Sequence, residues 1–132
     1  MLETHLKIIG FLLMILAMVH IIFPKYFSWK EELKKLSLVN RQMMQVHTFF
    51  VALVVFLIGL LCITSYSELI NTALGKRIAL ALSIFWGIRT LFQFFVYSPK
   101  LWKGKTFETI VHIVFSVFWM YLTVIFYLTY TS

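Results

Sequence analysis

Four long runs of the chain, about residues 5–23, 43–63, 78–97 and 107–128, are apolar nearly throughout, and the charged positions gather between them. A helix needs about 20 apolar residues to cross a bilayer, and each run is close to that length. The pattern predicts an all-α integral membrane protein: four transmembrane helices in an up-down antiparallel bundle, forming one domain over 1–132. Ser28-Trp29-Lys30-Glu31 has the form of a capping box, and Trp29, Leu33 and Leu36 recur on one helical face. A short interfacial amphipathic helix over about 28–39 is therefore expected between the first and second spans. Pro24 is expected to end the first span and Asn40 to cap the second.

Composition supports this reading. Hydrophobic residues make up 61% of the 132-residue chain and charged residues 13%, against about 45–50% and 25% in soluble domains. Four spans leave almost no chain for a soluble domain, so function is confined to the bundle and its rims. The first run is not expected to be a signal peptide, because it ends at His20-Ile21-Ile22-Phe23-Pro24 with no small-x-small cleavage pattern. Cys62 is the only cysteine, which excludes an intrachain disulfide.

The net charge of +7 resolves into topology. Lys25, Lys30, Lys34, Lys35 and Arg41 follow the first span, and Lys100, Lys103 and Lys105 follow the third. By the positive-inside rule these two loops face the cytoplasm, which puts both termini outside a cytoplasmic membrane. Membrane lipid is the expected partner of that charge, and no nucleic acid is expected, since there is no exposed basic domain.

Polar residues inside the spans form stripes. Gly10, Ala17 and His20 share a face of the first span, and Asn40, Met44 and His47 a face of the second. In the third, Ala79, Ser83, Trp86, Thr90, Gln93 and Tyr97 form a stripe with Arg89 on its border; in the fourth, Glu108, His112, Ser116, Trp119 and Thr123 form a seam. The faces of the first, third and fourth spans should turn away from lipid. Counting about 1.5 Å per residue places His20, His47, His112, Gln93 and Arg89 about 6, 9, 10, 6 and 12 Å below the cytoplasmic rim.

Arg89 is the costliest of these residues. A guanidinium keeps its charge at any relevant pH, and near a bilayer centre it costs about 2.5–3.5 kcal/mol on insertion scales. Glu108 is the one carboxylate near enough to pair with it, and the alternative is an external anion or a polarised carbonyl.

Three readings of the layer follow. His47 and His112 can serve as axial ligands of haem b, with Arg89 and Gln93 near an anionic cofactor edge; this resembles small b-type cytochrome bundles in architecture alone, and a quinone or membrane redox partner would accompany it. The same residues can instead hold helices together or grip a lipid headgroup in a non-enzymatic subunit. Thirdly, His20, His47 and His112 can form a three-histidine site for zinc, copper or iron.

Overall fold

The computed structural model describes residues 2–26, 31, 33–95, 104 and 106–132, with side chains described over 2–22 of the first stretch. Every regular element among them is helical: α1 Leu2–Tyr26, a 3-10 turn Leu33–Lys35, α2 Leu38–Thr64, α3 Tyr66–Asn71, α4 Ala73–Phe95 and α5 Thr106–Thr131. Leu2–Ile22 of α1, together with α2, α4 and α5, are long and apolar enough to cross a membrane. Large apolar side chains are exposed along all four, among them Phe11, Ile15, Phe49, Phe85, Ile113 and Val117. That surface is unfavourable in water and is what hydrocarbon would cover.

The helices overrun the apolar runs at their polar ends. Helix α1 continues through Pro24 to Tyr26. The expectation for α2 needs correction: its cap is Ser37, whose Oγ accepts from the Asn40 backbone N–H at 3.3 Å, so the helix begins at Leu38 and Asn40 lies in its first turn. A serine oxygen in that position satisfies a backbone donor that helix geometry would leave without a partner. Of the expected interfacial element, Glu31 is helical and Leu33–Lys35 is one 3-10 turn, with Leu36 N–H bonded to Leu33 O at 3.0 Å, and Leu36 and Ser37 separate it from α2. The Ser28-Trp29 start of that element lies outside the described residues, as do Tyr97 and most of the second basic loop. Gly104, within that loop, has φ of 80°, a left-handed conformation that glycine adopts without strain.

The chain divides into two compact units, Leu6–Tyr66 and a second made of Met1–His5 with Ser67–Ser132. In the first, α1 and α2 pack antiparallel. The buried positions Leu6, Ile9, Gly10, Leu13, Leu16 and Ala17 follow one face of α1, and Ala52, Val55, Gly59 and Cys62 one face of α2. The backbones meet at Gly10 and Gly59: a Cβ on Gly59 would lie 2.7 Å from the Gly10 carbonyl oxygen, so only glycine permits this approach. At the open end of the pair, Lys7 Nζ sits 4.5 Å from the Tyr66 ring centroid.

In the second unit, Thr72 hinges α3 to α4. Its hydroxyl donates to Glu68 O at 2.7 Å and accepts from Gly75 N–H at 2.9 Å, which caps α4 at Ala73 and puts Gly75-Lys76-Arg77 inside the helix. Helices α4 and α5 then form an antiparallel hairpin, tied by Ser83 Oγ donating to Thr123 O at 2.9 Å. The stripes expected on these helices are the faces that pack: Ala79, Ser83, Trp86 and Gln93 of α4 are buried, with Ser116 and Trp119 of α5.

Candidate functional site

The α4–α5 hairpin builds one polar cluster from Trp86, Arg89 and Gln93 on α4 and His112 and Trp119 on α5. Trp86 and Trp119 stack with ring centroids 5.1 Å apart and planes 7° apart. Arg89, half-buried, carries its Cζ 5.0 Å from the Trp119 ring centroid, a cation–π arrangement that offsets part of the cost of a charge in an apolar span. Its Nη1 donates to Gln93 Oε1 at 3.4 Å, a long bond.

Gln93 is 6% exposed and its amide orientation is decided by its neighbours. A guanidinium only donates, so Oε1 faces Arg89. On the other side Nε2 donates to the His112 carbonyl at 3.3 Å and lies 3.1 Å from His112 Nδ1. A carbonyl only accepts, so the two contacts agree. In neutral His112, Nδ1 is therefore the acceptor and the ring hydrogen sits on Nε2. Phe94 packs edge-on against the same imidazole, with centroids 6.2 Å apart.

The other two histidines of the expected layer belong to the first unit and have the opposite tautomer. His20 Nδ1 lies 2.9 Å from Leu16 O and His47 Nδ1 lies 2.8 Å from Met43 O, each one helical turn back. Both Nδ1 atoms must donate to those carbonyls, which makes Nε2 the acceptor or ligand nitrogen. His47 is exposed and His20 half-buried. Among the described residues, no group of three or more His, Cys, Asp or Glu side chains is gathered so as to hold a metal ion, so the three-histidine arrangement draws no support from this quarter.

Several polar residues of the stripes are committed to their own helices. Thr90 donates to Trp86 O, Thr123 to Trp119 O and Ser116 to His112 O, at 2.8, 2.8 and 2.7 Å. Ser116 therefore addresses the His112 backbone rather than its imidazole, which is not the pairing a serine nucleophile needs. Glu108, the carboxylate considered for Arg89, is exposed near the start of α5.

Two features escaped the sequence. His5 Nδ1 lies 2.7 Å from the Tyr121 hydroxyl, with ring centroids 5.8 Å apart, so the histidine set apart from the layer has a partner of its own. Tyr121 lies off the polar seam of α5, and nothing in the periodicity marked it. The tryptophan stack is the other: each tryptophan was on an interior stripe, but their register across the hairpin depends on the connecting loop. The indole nitrogens Trp86 Nε1 and Trp119 Nε1 are buried and have no hydrogen-bond partner among the described residues. Compared with family models, with curated proteins and with solved structures, the chain finds no match in any of the three.

Proposed function

We propose that this chain is a non-enzymatic, multi-pass protein of the cytoplasmic membrane, with up-down spans, both basic loops inside and both termini outside, that binds an amphipathic ligand by its anionic head at Arg89. The observation that carries the reading is the positioning of Arg89: a permanent charge on an apolar helix, half-exposed, steadied by the Trp119 ring on one side and by an amide of decided polarity on the other. A cation in apolar surroundings attracts an oxygen anion far more strongly than one in water, because screening is weak there. Gln93 and His112 act behind it as positioning residues.

The test is the content of protein purified in detergent, as wild type and as Arg89→Ala and Arg89→Lys. Wild type is expected to retain an anionic amphipath that the alanine variant loses and the lysine variant keeps in part. Equal retention by all three would overturn the reading.

A redox cofactor is the second reading, favoured by one observation. The Nδ1–H of His47 is tied to its own helix, which presents Nε2 for coordination, as ligand histidines commonly do, and the His20 Nδ1–H is tied in the same way. His112, with its hydrogen on Nε2, suits the positioning role better than the axial one expected of it. An absorption spectrum with and without dithionite, together with elemental analysis for iron, zinc and copper, decides this reading. A colourless, metal-free preparation ends it.

A further inference from the structure

The tryptophan pair beside Arg89 carries two donors with nowhere to donate. Trp86 is 3% exposed and Trp119 4%, so neither indole N–H reaches solvent, and neither meets an acceptor among the described residues. A buried donor left without a partner loses its hydration and gains nothing in exchange. The stack does not require them, because two phenylalanines would supply aromatic packing without that penalty. The Thr90 and Thr123 hydroxyls donate to the Trp86 and Trp119 carbonyls, and neither takes an indole hydrogen. Arg89 and the two indoles are thus three donor-only groups in successive contact, Arg89 over Trp119 and Trp119 on Trp86.

We infer that the indole N–H groups of Trp86 and Trp119 complete the Arg89 site, and that the head it takes is an oxyanion with at least two acceptor oxygens, a phosphate ester or a carboxylate, at the end of an apolar tail. This rests on the ligand-binding reading of Arg89 and deepens it. Charge chooses an anion over a neutral carbonyl, and the surplus of donors chooses a head with several acceptor oxygens. The apolar faces of α4 and α5, with Phe85, Ile88, Val117 and Met120 exposed, suit the tail. Since the indole nitrogens are closed off in the ligand-free hairpin, binding turns side chains aside, Arg89 first, as it is the long half-exposed one lying over Trp119.

The experiment follows the indole protons directly. Full-length protein labelled with 15N-tryptophan in dodecyl maltoside micelles gives four indole signals, one for each tryptophan, assigned by single Trp→Phe variants. Dihexanoyl phosphatidic acid, octanoate and a neutral short-chain diacylglycerol are titrated separately. The Trp86 and Trp119 signals are expected to move downfield saturably with phosphatidic acid or octanoate, to stay in place with diacylglycerol, and to respond about tenfold more weakly in Arg89→Lys. A response to phosphatidic acid alone identifies a phosphate head, and a response to octanoate alone a carboxylate. Saturable, Arg89-dependent binding that leaves both indole signals unmoved overturns the inference and leaves the Arg89 reading standing. Absence of saturable binding by either anion overturns both.

Discussion

Gln93 and His112 are joined nitrogen to nitrogen, the amide Nε2 3.1 Å from the imidazole Nδ1, while the amide oxygen turns to Arg89. The direction of donation therefore runs from Arg89 through Gln93 to His112, and each member decides the orientation of the next. Gln93→Glu tests what that arrangement is for. A carboxylate at this position pairs with Arg89 inside the hairpin and competes with any external anion. Titration of the purified variant with dihexanoyl phosphatidic acid should show affinity reduced by tenfold or more. Unchanged affinity would mean that Arg89 is not where the anion binds.

The helix pair α1–α2 depends on glycine for a steric reason. A Cβ on Gly59 would be 2.7 Å from the Gly10 carbonyl oxygen and 3.1 Å from Met14 Cγ, and the carbonyl belongs to backbone that cannot step aside alone. Gly59→Ala should destabilise the protein by about 1–3 kcal/mol, as overpacking does. Gly87 makes the control, since a Cβ there would be 3.6 Å from Thr123 Cγ2, an ordinary contact. Gly87→Ala should be neutral or stabilise by up to about 1 kcal/mol through helix propensity. Thermal unfolding of both variants in one detergent should give midpoint shifts of different size, with the large loss at Gly59.

The bond between His5 and Tyr121 can be removed by deleting one oxygen. Tyr121→Phe keeps the ring contact and loses the 2.7 Å hydrogen bond, at a cost of about 0.5–1.5 kcal/mol. Acylation of His5 by diethyl pyrocarbonate, followed by mass spectrometry, should be faster in the variant than in wild type. Equal rates would show that the hydroxyl does not hold the imidazole.

Periodicity was enough to read the helices and the packed faces of α4 and α5, because burial in an apolar chain selects small and polar residues at helical spacing, whereas Asn40, Met44 and His47 of α2 are exposed and Ala52, Val55, Gly59 and Cys62 pack instead. Ala79, Ser83, Trp86 and Gln93 were legible in that way, as were Ser116 and Trp119. Helix ends were less so. Ser37 and Thr72 cap through single hydroxyl bonds, and a lone serine or threonine before a helix resembles many others that cap nothing. Matching depth brought Gln93 and His112 together correctly, whereas the hydrogen-bond polarity between them needed coordinates, since composition does not say which way an amide faces. The partnerless indole nitrogens were beyond sequence reading for the same reason: a tryptophan on an interior stripe ordinarily finds an acceptor.

Whether Arg89 binds the anionic head of an amphipath is decided by equilibrium binding of dihexanoyl phosphatidic acid and of octanoate to detergent-purified protein. Intrinsic tryptophan fluorescence can follow both titrations, because Arg89 lies 5.0 Å from the Trp119 ring centroid. Wild type is expected to bind at least one of the two anions saturably, Arg89→Ala at least tenfold more weakly, and Arg89→Lys, which keeps the charge but loses the planar fork, with an intermediate affinity. Equal affinities for wild type and a folded Arg89→Ala, or no saturable binding of either anion by wild type, would contradict binding of the head by Arg89.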